Sequence, residues 1–131
     1  MQEVGRSEDI ASALEAAKAV DASALNVLAS PLLHGNRQAI VAQANRLRLP
    51  AIYQWPDTTE EGGLLGYGPR FSEFLRQWAR QAAKVLRGAK PADLPIDQPT
   101  RFELAVNLKT AKEIGFDVPP AFISRADQVF E

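Results

Sequence analysis

Apolar residues recur along this chain in two rhythms, one of 3.6 residues and one of continuous short runs, and the two alternate. Ile10, Ala13, Leu14 and Ala17 share one face and predict a helix over residues 7–19. Ser7 is its expected N-cap, and Glu8 and Asp9 sit at the positive end of its dipole. Asp21-Ala22-Ser23 breaks the repeat. Residues 24–29 are a short, mostly apolar run that predicts a buried strand, ended at Ser30-Pro31 because proline lacks the N–H a ladder needs. Ile40, Val41, Ala44 and Leu47 predict a second helix over 36–47, with Arg46 and Arg48 near its negative end. Leu49-Pro50 stops it, and residues 51–55 (Ala-Ile-Tyr-Gln-Trp) predict the next strand. Residues 56–63, with Pro, Asp, two Thr, two Glu and Gly62-Gly63, read as a loop that is mobile or turn-rich. Residues 64–68 predict a strand weakened by its glycines.

The second half opens on the longest helix, expected over 70–87 after Pro69. Phe71, Phe74, Leu75, Trp78, Ala82, Val85 and Leu86 form a stripe on it, and Gly88 is its natural stop. Pro91, Pro95 and Pro99 make residues 89–100 an extended connector. Phe102, Leu104 and Val106 alternate with Glu103 and Ala105, which predicts a strand over 102–107. A short helix follows through 108–114 and ends at Gly115. A last helix is expected to start after Pro119-Pro120 and run to the terminus. Helix and strand alternate with short connections, so the fold class is α/β, a parallel sheet with helices on both faces.

The chain has 131 residues, 46% hydrophobic and 24% charged, which fits one domain with a real core and argues against a disordered or coiled-coil chain. Fifteen basic residues balance sixteen acidic ones, so no field exists to hold nucleic acid or an anionic membrane. Zero cysteines exclude disulfides, thiol nucleophiles and iron–sulfur centres, and the single histidine, His34, excludes a His-based metal triad. No apolar run is long enough for a membrane span, and Met1–Arg6 lack the basic and apolar regions of a signal peptide.

In open sheets, ligands sit beyond the carboxyl ends of strands. Those positions here carry Ser30, Tyr53, Gln54 and Tyr67: a hydroxyl, an amide and two aromatic faces with polar tips, suited to an amino acid or a similar zwitterion. The competing reading makes the tyrosines packing residues and Ser30 a turn residue. His34 reads as a surface or capping group, and Ser72 and Glu73 as first-turn helix residues. Asp57, Glu60 and Glu61 lack the alternation of a calcium loop and read as solvated charge. The glycines at 62, 63, 66 and 68 lack a P-loop lysine and a strand-to-helix setting, so they are not a phosphate cradle. No nucleophile–base pair is visible, so no catalytic residue, cofactor or metal is expected.

Five phrases in order resemble one known family. They are Arg48-Leu49-Pro50-Ala51-Ile52-Tyr53, then Gly62-Gly63-Leu64-Leu65-Gly66-Tyr67-Gly68-Pro69, then residues 86–95 (Leu-Arg-Gly-Ala-Lys-Pro-Ala-Asp-Leu-Pro). Residues 100–112 (Thr-Arg-Phe-Glu-Leu-Ala-Val-Asn-Leu-Lys-Thr-Ala-Lys) follow, and the ending pairs Val118-Pro119-Pro120 with Arg125-Ala126-Asp127. Spread over most of 24–131, they resemble the solute-binding receptors of ABC transporters, including tryptophan and other aromatic amino-acid receptors.

The resemblance implies a three-layer lobe of a periplasmic-binding-protein type I-like fold, with residues 1–131 as one α/β domain equivalent to the C-terminal portion of a two-lobe receptor. Within it, 70–100 would be the crossover helix and connector. It implies binding of a small solute without catalysis, an ABC permease as partner and a periplasmic location, a cytoplasmic fragment being the alternative. A small flavodoxin-like regulatory or interaction domain is the competing function. By the same analogy the 70–87 helix belongs against the other lobe. Without it, Phe71, Phe74, Leu75 and Trp78 are expected to form the interface of a homodimer. Membrane-surface binding by that helix, whose opposite face carries Arg76, Arg80, Lys84 and Arg87, is the weaker alternative.

Overall fold

Five short strands supply the frame: β1 (Leu25–Val27), β2 (Ala51–Tyr53), β3 (Leu65–Gly68), β4 (Glu103–Asn107) and β5 (Gln128–Phe130), side by side in that order. The structure is a computed structural model and describes residues 4–131; Met1–Glu3, the start of the stretch read for a signal peptide, lie outside it. Helices α1 (Ile10–Ala19), α2 (Pro31–Gly35), α3 (Arg37–Arg46), α4 (Asp57–Glu60), α5 (Phe71–Leu86), α6 (Leu108–Ile114) and α7 (Pro120–Ile123) connect them.

The expected α/β class holds, with helices on both faces of the sheet. Register assigns the faces. Tyr53 pairs with Gly66 while Ile52 pairs with Leu65, so Tyr53 and Leu65 point to opposite sides. On the Tyr53 side, Ile10 of α1 and Ile40, Val41 and Ala44 of α3 close over Ala51 and Tyr53. On the Leu65 side, Ala111 and Ile114 of α6 close over Val106, with Leu104 and Ile123 packed against them.

Direction is the first correction. β1, β2 and β3 are parallel and so are β4 and β5, but β3 and β4 are antiparallel. The reason lies between them. The chain leaves the sheet at Gly68, runs out through α5 and the proline-rich connector, and returns at Glu103, which is the register partner of Gly68. A strand that re-enters at the end where its neighbour left must run backwards.

Four further expectations change. The loop 56–63 contains α4, in which Thr58 and Thr59 are buried. The helix expected over 36–47 is preceded by α2, started by Pro31 at its first turn and broken at Asn36. The expected terminal helix ends at Ile123, and β5 completes the sheet: Asp127 donates its backbone N–H to Leu104 O at 2.8 Å and accepts that of Leu104 on Oδ2 at 2.8 Å. Ser7 begins a 3-10 turn instead of capping α1, and its hydroxyl accepts from Asn36 Nδ2. The short helix after β4 ends as expected at Gly115, at φ 74°.

The segment from Gln54 into α4 lies too close to β3 for side chains at Gly66 and Gly68. A Cβ on Gly68 would collide with the Gln54 carbonyl, which is backbone and cannot rotate away. Gly68→Ala is therefore expected to cost about 2 kcal/mol, read as a lower urea midpoint at unchanged slope. A midpoint equal to that of the unaltered chain would show that the two strands separate freely.

Candidate functional site

The carboxyl ends of β1, β2 and β3 lie at one edge of the sheet, and α5 springs from the same edge. Ser30 ends the β1 segment in an extended conformation, starts α2, and uses no side-chain bond to cap it. Tyr53 ends β2 and is 3% exposed, buried in the core beneath α3. Its hydroxyl has no hydrogen-bond partner, and burial pushes its pKa well above the usual phenol range. Gln54 Oε1 and His34 Nδ1 are likewise buried without partners. Ser30, His34, Arg37, Tyr53, Gln54 and Trp55 all border one crevice of only about 20 Å³. That volume is far below the roughly 300 Å³ of a small-molecule site, so a solute would rest over its mouth.

Tyr67 lies apart. It pairs with Leu104 on the Leu65 side of the sheet, opposite to Tyr53, stands 55% exposed, and faces the Phe102 ring at 6.0 Å. The structure thus brings Ser30, Tyr53 and Gln54 together and places Tyr67 on the other face of the same edge. Tyr53 is a core residue with only its hydroxyl in question, nearer to the packing reading than to an aromatic platform.

An aromatic run, absent from the candidate ligand residues chosen by strand-end position, crosses this edge. His34 of α2 lies against Phe71 of α5 with ring centroids 4.4 Å apart. Phe71 meets Trp55 edge-on at 5.1 Å, Trp55 meets Phe74 at 5.5 Å, and Phe74 meets Trp78 at 4.4 Å. Such contacts add about 0.5–1.5 kcal/mol each beyond area burial, enough to dock the first turns of α5. The sequence signal was available in Trp55 at a strand end and His34 three residues past Pro31, but the latter needed α2 to be seen.

The acidic cluster in residues 57–61 is also not free charge. Asp57 Oδ2 accepts the Phe71 N–H at 3.1 Å, Glu60 takes Arg70 at 2.5 Å, and Glu61 takes Arg37 at 2.8 Å. Arg70 also reaches Glu103 at 2.9 Å. Glu60 first and Glu103 second hold the Arg70 pKa above the ordinary arginine range. Each carboxylate has its own protein partner, and among the described residues no set of three or more acidic, His or Cys groups converges on a cation position.

An α/β sheet with unpaired polar atoms and aromatic rings gathered at its strand ends has the form of a binding module. The chain belongs to the family of ABC transporter substrate binding proteins, whose family model matches residues 2–130. Two solved structures share the fold closely. One is a conserved domain protein from Vibrio cholerae, at 22% identity and TM-score 0.83 over 95% of this chain and 42% of its own. The other is an ABC domain in complex with L-tryptophan from Streptococcus pneumonia, at 24% identity and TM-score 0.82 over 97% of this chain and 43% of its own. A ligand-free, open substrate binding protein with adhesive properties from Clostridium difficile is more distant, at 18% identity and TM-score 0.62 over 98% of this chain and 43% of its own. No curated protein matches the chain. The chain spans less than half the length of these structures, and nothing in its geometry favours the flavodoxin-like alternative.

Proposed function

We propose that this chain forms one wall of the solute cleft of an ABC importer's receptor, corresponding to the C-terminal portion of a two-lobe protein. It binds a small amphipathic solute, an aromatic amino acid being the best fit, and carries out no catalysis. Residues 70–100 are the crossover helix and connector toward the second lobe. The observation that carries the reading is the edge where Ser30 and Gln54 stand beside the ring run from His34 to Trp78. Polar groups there suit the charged end of an amino acid, and rings suit its side chain. The permease of the importer is the proposed partner and the periplasm the proposed location; among the described residues no helix is long and apolar enough to cross a membrane. The exposed stripe of α5 further supports pairing of two copies when the chain stands alone.

In a receptor carrying both lobes, Ser30, Gln54, Tyr67 and the Tyr53 hydroxyl are proposed to face the cleft. Tyr67→Ala is expected to weaken tryptophan binding by about 1–3 kcal/mol in calorimetric titration, as for other aromatic anchors. Unchanged affinity in Tyr67→Ala, Ser30→Ala, Gln54→Ala and Tyr53→Phe together would refute the assignment. The 131-residue chain alone, with one wall only, is expected to bind no more tightly than millimolar.

A further inference from the structure

The chain crosses between the sheet and the α5 arm twice, outward at Gly68–Arg70 and inward at Arg101–Glu103, and the crossings lie side by side because Gly68 pairs with Glu103. Between them, α5 buries none of its sixteen residues. The connector stays with it, since Gln81 of α5 donates to Asp97 and to the Pro95 carbonyl. Helix and connector therefore form one arm fastened at its root.

Arg70 ties the outward crossing to both α4 and the inward crossing. Its Nη1 reaches Glu60 of α4 at 2.5 Å and its Nε reaches Glu103 at 2.9 Å. Its neighbour Phe71 donates its backbone N–H to Asp57. Glu103 is buried and takes Arg101 on its second oxygen at 3.1 Å, so with Arg70 on its other oxygen it binds the returning strand to the departing one. A planar guanidinium fixed at two points has few orientations, and a lysine ammonium cannot reproduce that geometry.

We propose that Arg70 is a positioning residue that sets the angle between the sheet and the α5 arm by clamping both crossings. It goes beyond solute binding, and the arm angle can be measured without any solute. In a protein whose cleft closes by movement at such crossings, the clamp would set the population of the closed state and hence the apparent affinity.

The chain has no cysteine, so Lys84→Cys on α5 and Lys112→Cys on α6 take spin labels without background. Pulsed electron resonance on labelled chain diluted with unlabelled chain then reads the arm-to-sheet distance within one copy. The unaltered root is expected to give one narrow distribution. Arg70→Met should at least double its width or shift its mean, with Arg70→Lys intermediate. Glu60→Gln, at the more exposed partner, should broaden it in the same direction. Circular dichroism confirms that the sheet is intact in each variant. If Arg70→Met fails to fold, Glu60→Gln decides alone. A distribution unchanged in the folded variants, or already broad in the unaltered chain, overturns the proposal.

Discussion

Glutamates at Leu75 and Trp78 are expected to leave the isolated chain monomeric under conditions where the unaltered chain pairs with a second copy. Leu75 is 44% exposed, Trp78 59%, Val85 40% and Leu86 87%, all on one face of α5. Covering such side chains releases about 1.5–3 kcal/mol each when burial is complete, so the uncovered parts of two stripes represent on the order of 10 kcal/mol. Association costs at least about 4 kcal/mol in lost freedom and ordering, so a net of about 6 kcal/mol places the expected dimer at tens of micromolar at its tightest. A two-fold arrangement lets one stripe cover the other without a second kind of surface. Phe71 and Phe74 are poorer test positions than the sequence suggests, because both already pack on His34 or Trp55 at the root of the arm. Light scattering separates the outcomes, since one copy weighs 14.3 kDa. A monomeric unaltered chain at about 0.5 mM, roughly ten times that constant, would end the pairing proposal and leave the stripe to another lobe.

The difference between what the chain's pattern disclosed and what it hid has a consistent cause. Runs such as Ala51–Tyr53 and alternations such as Glu103–Asn107 announce strands because burial selects their side chains whatever the neighbours do. Direction is invisible in the same letters. An alternating strand reads alike in either sense, and only the return of the arm beside Gly68 makes β4 antiparallel. Helix α4 was hidden because its four residues are polar; Thr59 is buried against Gly66 of β3, and its carbonyl accepts from Asn107, distant in sequence. Likewise β5 has three residues with Val129 exposed, too little apolar content to announce a strand without its partner. At the candidate site, Ser30 and Gln54 stand just past strands and border one crevice, a placement the apolar runs already indicated. The face that each tyrosine occupies required the register, since a shift of one residue exchanges sides.

Asn107→Ala is expected to remove about 2 kcal/mol of stability, a large loss for a single polar side chain. Asn107 is buried at the junction of β4 and α6 and serves both ends of a network. Its Oδ1 accepts the Thr110 N–H at 2.9 Å as the cap of α6, and its Nδ2 donates to the Thr59 carbonyl at 3.1 Å. Thr110 Oγ1 and Asn45 Nδ2 both donate to the Gly62 carbonyl, so the turn carrying α4 hangs from α6 and α3 together. Losing a cap costs about 1 kcal/mol, and the Thr59 carbonyl, left with only the Gly62 N–H at 3.2 Å, loses a buried bond of about 1 kcal/mol more. Asn107→Ser keeps an acceptor for the cap and should fall between. Asn107→Asp keeps the cap but sets a carboxylate against the Thr59 carbonyl, so its deficit should grow as pH rises through the aspartate range, where the acid loses the proton it could donate. Urea unfolding measures all three, and an Asn107→Ala loss under about 0.5 kcal/mol, the range of ordinary surface changes, would show that α4 and α6 do not depend on the Asn107 side chain. Because Glu60 belongs to α4 and binds Arg70, releasing this turn should also loosen the root of the α5 arm, so a defect in the core would be felt at the solute edge.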